Sequence, residues 1–294
     1  MSDYTPKSKR KPGARGGHRT RRGTEMAASI AEAPLVSKPR EAPASARNPR
    51  PIKPRECPVC AAPYMALFDV LNATPERSVD LYVCLACQSF SSPLTAENSS
   101  ASQVEWHKRI FDRNLGFADA LFDCVEHQFG KPHGVLDIGC GAGALIKAAE
   151  NRSIRGVGYD LDEESCAFGR ETHGLDLRGE TWSPSMDVGE IDLITCIMVL
   201  EHIHFPRPLM NALLTEAEAR SCPLFISVPF VEKVWWPHLL NDTTADGNPF
   251  QQPHVNVTHF SRSGMRTAFE QMGARHFIEP ADRIPWPGLF ILPT

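Results

Sequence analysis

Val135-Leu-Asp-Ile-Gly-Cys-Gly-Ala-Gly143 decides how this chain is read. A short apolar run ends in an acid, passes through glycines at positions 139, 141 and 143, and opens the helix-forming run Ala144-Leu-Ile-Lys-Ala-Ala-Glu150. A strand, a tight turn and a helix start in that order let a backbone approach a ligand closely. Nineteen residues past Gly141, a second strand, Gly156-Val-Gly-Tyr-Asp160, also ends in an acid. An acid at that distance suits the hydroxyls of a ribose, so the pattern implies a nucleotide-like ligand.

Two ligand classes compete for such a turn. Read as Gly139-x-Gly141-x-x-Ala144, it meets the dinucleotide pattern, with Asp160 near the expected distance. A dinucleotide would lay its pyrophosphate over the turn at the helix N-terminus, where Asp137 would repel it. S-adenosylmethionine carries no phosphate, and its methionine end presents an ammonium that an acid can hold. Asp137 therefore favours the methyl donor.

Later segments fit the same reading. Ile191-Asp-Leu-Ile-Thr-Cys-Ile-Met-Val-Leu-Glu-His202, followed by Pro206-Arg-Pro-Leu-Met210, reads as a strand, a Glu-His pair and a helix. Phe225-Ile-Ser-Val-Pro229 reads as a further strand, and His254-x-Asn256-x-Thr-His-Phe260-Ser261 leads into the helix Met265-Arg-Thr-Ala-Phe-Glu-Gln-Met-Gly273. From about residue 104 to the end, the chain resembles a class I S-adenosylmethionine-dependent methyltransferase. The resemblance implies an α/β fold with a doubly wound, Rossmann-like, seven-stranded sheet, closed by a hairpin over Ala274–Glu279 and Leu289–Leu292. It implies that Asp137, Gly139, Cys140, Gly141 and Gly143 hold the donor's methionine end, Cys140 through its backbone. Asp160 and the adjoining Leu161 would take the ribose; Glu180, Thr181 and Trp182 the adenine side; Met198, Leu200 and Glu201 the methyl side. Trp182 either stacks on the adenine or is a surface aromatic.

Net charge is −4, but it is unevenly divided. Residues 1–55 carry 14 Lys+Arg against 4 Asp+Glu, and the remainder carries 17 against 31. The first segment is rich in Pro, Ala, Arg, Ser and Gly without apolar periodicity, the composition of a disordered basic tail. It is either a solvated extension or a tether to nucleic acid or another polyanion. No secretory h-region and no 18-residue apolar span are visible, so we expect a cytoplasmic chain without a membrane span.

Among nine cysteines, four form two pairs, Cys57-Pro-Val-Cys60 and Cys84-Leu-Ala-Cys87, separated by 23 residues. Two such knuckles supply four thiolates to one structural Zn²⁺; an iron–sulfur cluster and a pair of disulfides are the alternatives. Strands over Tyr64–Leu71 and Val79–Val83, around Asn72-Ala-Thr-Pro-Glu, complete the outline of a zinc ribbon. Residues 56–103 are thus a metal module plus linker, and 104–294 the methyltransferase domain. Four-cysteine modules of this kind also occur in sugar C-methyltransferases and some ribosomal RNA methyltransferases. The other five cysteines read as small buried hydrophobes.

Transfer to a hydroxyl or an acidic carbon needs a proton acceptor. His202, after the fourth strand, and His254, in the late segment, are the catalytic candidates, with His259 a further one. His202 alternatively fixes its loop without acting as base, and Glu201 reads as a hydrogen-bonding anchor. The helical pattern over residues 104–130 could bring Trp106, His107, Arg109 and Arg113 to the donor, or merely pack and solvate a helix. No Asn-Pro-Pro-Tyr follows the fourth strand and no Pro-Cys nucleophile occurs, which disfavours methylation of base nitrogens or of base carbon-5. An oxygen or carbon on a small molecule or glycan remains as acceptor. The run Val234-Trp-Trp-Pro-His-Leu-Leu240 stands where an acceptor cover would form. Competing readings are an RNA- or ribosome-associated methyltransferase docked through tail and ribbon, and a donor-binding scaffold without catalysis.

Overall fold

The computed structural model describes residues 56–74, 77–92, 102–184, 186–231, 256–280, 284 and 286–293, with side chains left aside at 69–79. The basic tail, most of the linker, the Trp235-Trp236 run and His254 lie outside the described residues. Lys53–Thr294 forms one compact unit.

The larger sheet is built on β4 (Gly134–Ile138), whose five residues are all buried. A strand covered on both faces is apolar except where a polar group finds a partner, as Asp137 does in Thr195. On one side lie β5 (Arg155–Tyr159) and β6 (Leu177–Arg178); on the other lie β7 (Leu193–Ile197) and β8 (Leu224–Ser227), all parallel. The chain closes with β10 (His276–Ile278) and β11 (Gly288–Leu292), an antiparallel pair of which β11 joins β8. The order is β6-β5-β4-β7-β8-β11-β10, the seven-stranded doubly wound sheet the sequence predicts. Alternate side chains divide the core. Val135, Leu193, Phe225 and Phe290 pack with α1 (Val104–Phe129) and α2 (Ala144–Asn151). Leu136, Ile194, Leu224 and Ile291 pack with α4 (Arg207–Arg220) and α5 (Arg262–Gln271). That is the period of two that puts successive residues on opposite faces.

Helix α3 (Glu163–His173) follows β5, with Asp162 capping its start and Gly174 (φ +73°) its end. Residues 104–130, which read as one helix or two, form a single helix of 26 residues.

A second sheet runs β1 (Ala66–Thr74), β2 (Arg77–Val83), β3 (Phe90–Ser91), β9 (Thr258–His259). The first two form the expected hairpin, with β1 running into the predicted turn as far as Thr74 and β2 starting at Arg77. β9 was not expected there. The late histidine segment, read as part of the methyltransferase domain, pairs antiparallel with the cysteine module, Phe90 opposite His259 and Ser91 opposite Thr258. Two-residue strands in Ser- and Thr-rich sequence carry too little period to be read from sequence.

Candidate functional site

The glycine turn lies at the carboxyl end of β4, where β4 neighbours both β5 and β7. The amides of Gly139 and Cys140 donate to the Tyr159 carbonyl at 2.7 and 3.1 Å, which ties the turn to β5. Gly139 has φ +81°, and a Cβ there would stand 2.1 Å from Val199 Cγ2. Gly141, at φ +53°, lies under the His107 ring, whose Cε1 is 2.8 Å from where a Cβ would be. Both positions need glycine for conformation and for space.

Asp137 is buried and accepts a hydrogen bond from Thr195 Oγ1 at 2.7 Å. Burial raises its pKa to about 7, against the lowering effect of Thr195, with the charge of Asp160 adding to the rise. A carboxyl so placed is poised to ionise when a cation arrives. Asp160 accepts from Gly141 N and Asp162 N, each at 2.8 Å, so the predicted ribose acid also braces the turn. Each carboxylate oxygen keeps a second lone pair for a hydroxyl donor. Leu161 beside it is 76% exposed.

Of the four α1 residues considered from sequence, His107 is the one found on the turn. Its Nδ1 is 2.8 Å from Ser165 Oγ. Burial lowers its pKa, opposed by the charges of Asp160 and Asp162. The start of α1 is latched to the α3 cap: Ser102 Oγ and Gln103 N donate to Asp162 at 2.9 and 2.7 Å. Trp106 is instead half exposed beneath the Arg109 guanidinium, and Arg113 lies over Phe117.

Of the residues expected on the adenine side, Glu180 and Thr181 are exposed after β6. Trp182 is buried in the core, so the surface reading fails, and its Nε1 has no hydrogen-bond partner among the described residues. Of the residues expected on the methyl side, Met198 takes φ +55°, a left-handed conformation that costs a non-glycine residue about 1–2 kcal/mol. Strain of that kind concentrates at functional sites. Its amide donates to Ser227 O at 2.8 Å, holding the end of β7 to the end of β8. A one-turn helix, Leu200–His202, follows. Leu200 is wholly buried; Glu201 is 3% exposed, with Oε2 unpartnered among the described residues. Burial raises Glu201 to about 8. His202, by contrast, is exposed on the same turn. His259 is 2% exposed within β9, and burial lowers its pKa to about 3. An acceptor cannot reach it in this arrangement.

The four paired cysteines converge. Their sulfurs all lie within 4.8 Å of one another, with Cys57–Cys87 at 3.7 Å and Cys60–Cys84 at 3.6 Å. A tetrahedron of thiolates around one Zn²⁺, with bonds of about 2.3 Å, has edges of about 3.8 Å. All four are buried and free of disulfides. The knuckles repeat each other: Ala61 N donates to Cys57 O at 3.0 Å and Gln88 N to Cys84 O at 2.7 Å. Ala61 and Gln88, each following a second cysteine, are both left-handed, at φ +58° and +62°. The hydrogen-bonded Cys87 sulfur and burial raise Cys57, burial raises Cys60 to about 11, and the same hydrogen bond to Cys57 lowers Cys87 to about 5. Four sulfurs so placed offer a complete ligand set for one dication.

Neither knuckle is free of the α/β layer. Arg207 Nη1 donates to Val59 O at 2.8 Å, and Gln271 Nε2 to Cys60 O at 3.0 Å. Ser261 and Ser263 hydroxyls both donate to Cys87 O. These clamps were not legible in the sequence, since nothing about an Arg or a Gln marks which distant carbonyl it will reach.

A family model described as a methyltransferase domain matches residues 107–276, and the chain belongs to that family. Relatives include the ubiquinone biosynthesis O-methyltransferase of Idiomarina loihiensis, 33% identical over 107 residues, covering 33% of this chain and 41% of that protein. The enzyme of the same name from Pseudomonas aeruginosa is 33% identical over 87 residues, 26% of this chain and 37% of its own length. The chain thus spans about two fifths of the length of these curated relatives. Among solved structures, a Nostoc punctiforme protein provisionally assigned as an O-methyltransferase superposes with TM-score 0.51 at 13% identity, over 66% of this chain and 64% of that one. That likeness is one of fold.

Proposed function

We propose that this chain is an S-adenosylmethionine-dependent methyltransferase acting on an oxygen or carbon of a small molecule or glycan. Asp137 carries the reading: a buried carboxyl beneath a glycine turn suits an ammonium and repels a pyrophosphate. The donor fits the residues present. The glycine cradle leaves space that any Cβ would fill, and the unpartnered Trp182 Nε1 and Glu201 Oε2 are buried polar atoms of the kind a ligand satisfies. Asp137, Gly139, Cys140, Gly141 and Gly143 would hold the methionine end, Asp160 and Leu161 the ribose, Glu180 to Trp182 the adenine side, and Met198, Leu200 and Glu201 the methyl side. His107 joins them as a cover over Gly141.

The donor, when bound, supplies an electrophilic methyl group on a sulfonium. The protein's own work is placement, which can account for roughly 7–11 kcal/mol of barrier, together with removal of one proton. We assign that proton to His202, which is exposed where an acceptor can reach it while the buried Glu201 anchors its turn; His254 is the second candidate. The curated relatives are named for oxygen methylation, which supports an oxygen acceptor.

At the cysteines we propose one structural zinc, since sulfurs this close suit a single ion better than a cluster spread over several irons. Free thiols gathered for a metal accord with a cytoplasmic, reducing setting. No helix among the described residues is long and apolar enough to cross a membrane. We divide the chain into a tail (1–55), the zinc module and linker (56–103) and the catalytic domain (104–294), with β9 of the last completing the module's sheet.

The test is transfer of labelled methyl to a panel of catechols, phenols, sugars and RNA. Label should enter a catechol, phenol or sugar, and His202→Ala should lower kcat about a hundredfold or more with adenosylhomocysteine affinity held. Label entering RNA alone would overturn the acceptor class.

A further inference from the structure

The four-cysteine site and the Glu201–His202 turn are joined by a continuous set of backbone contacts. The second knuckle closes with Cys84 N donating to Ser89 O at 2.8 Å, and the next residue, Phe90, begins β3. β3 pairs with β9. Beyond the pairing, Ser92 N donates to Val257 O at 2.9 Å and Ser92 Oγ to Asn256 O at 3.1 Å. The β9 segment then grips the turn from two sides. Val257 N donates to Glu201 O at 2.8 Å, and Thr258 Oγ1 donates to Ile203 O at 2.8 Å.

The other end of β9 returns to the same knuckle. Ser261 caps α5 by accepting from Gly264 N at 2.8 Å, while its own amide donates to Ser89 Oγ at 3.1 Å. A Cβ on Gly264 would stand 2.2 Å from Ser89 Oγ and 3.3 Å from Cys87 Sγ. The segment 256–264 is therefore held on the knuckle at one end and on the catalytic turn at the other. The turn needs such support, because the strained Met198 precedes it and a buried carboxyl with one oxygen, Glu201 Oε2, unpartnered among the described residues lies within it. Strained or unsatisfied groups persist only where their surroundings over-determine them.

We infer that the metal site is a positioning element of the methyl-transfer site: an occupied knuckle at Cys84–Cys87 fixes β3, β3 fixes β9, and β9 holds the Glu201–His202 turn. This rests on the zinc reading proposed above. It differs from a general fold staple in being directional. Metal loss should free the acceptor side while the glycine turn on β4, tied instead to β5 and α3, keeps its place.

The experiment is amide hydrogen exchange on the full chain before and after metal is stripped with phenanthroline, with metal content measured in parallel. Stripping should accelerate exchange at His202, Ile203 and Val257 at least tenfold more than at Leu136 to Ile138, whose amides respond only to the loss of global stability. Thr258→Val cuts one strut without touching a thiol. It should keep its metal and still exchange at least threefold faster at His202 and Ile203. Turn amides that hold their rates after verified metal loss, or in Thr258→Val, overturn the coupling, as does equal release of β4. Protein purified without metal overturns the zinc reading first, and the inference with it.

Discussion

Asp137→Asn should weaken adenosylhomocysteine binding at least tenfold at pH 8 while making the ligand-free protein more stable. The two effects share one cause. Burial holds the wild-type carboxyl's pKa near 7, far above its ordinary range. An acid whose folded pKa is raised binds more protons folded than unfolded, so stability falls as pH climbs from about 4 to about 7 and stays reduced above. Asparagine removes that penalty, worth up to about 4 kcal/mol by the linkage relation, and still accepts the Thr195 hydroxyl. It cannot pair with the ligand's ammonium.

In the wild type, ligand binding should release close to one proton at pH 6, and affinity should rise towards pH 7 and level off beyond it. The variant should lose that dependence. Calorimetry in buffers of different ionisation enthalpy reads the proton directly. A merely damaged fold would lose affinity and stability together. Unchanged affinity in Asp137→Asn would remove the residue from the donor site.

The second large effect is expected at the cysteines. Cys84→Ala should lower zinc from about one per chain to near zero and depress Tm by more than about 10 °C. Apparent zinc contributions of about 10–16 kcal/mol are typical of isolated small modules, and a unit of this size shifts roughly 2–4 °C per kcal/mol. The module here shares its core with the α/β layer: Cys57, Cys60, Cys84 and Cys87 pack in the same cluster as Leu200, Met210 and Phe269. Loss of the ion should therefore be felt beyond the knuckles. Metal analysis and differential scanning calorimetry measure both quantities, and an unchanged Tm in metal-free protein would contradict the structural role.

What could be read in the sequence follows from how strongly each element is constrained. β4, β7 and β8 are short, largely apolar runs because nearly every residue in each is buried, and the strand order follows from the alternation with helices. The cysteine pairs were legible because thiolates at that spacing serve few other ends. The β3–β9 pairing was not, since its partners are separated by most of the chain. Nor was the contrast between Glu201 and His202. Adjacent on one turn, one is buried and the other exposed, whereas the charge of a glutamate argues for solvent. His107 emerged from a helix whose amphipathic pattern gave no reason to prefer it to Trp106 or Arg109. The side chains found only in space are those whose role depends on what faces them.

The central claim is that the acid beneath the glycine turn selects a cationic amino-acid head over a diphosphate. The most direct measurement is a paired calorimetric titration of the purified full chain with adenosylhomocysteine and with NADH at pH 8. The account predicts saturable binding of the first, near one ligand per chain, and no heat above dilution from the second. Saturable NADH binding, with adenosylhomocysteine silent, would contradict it.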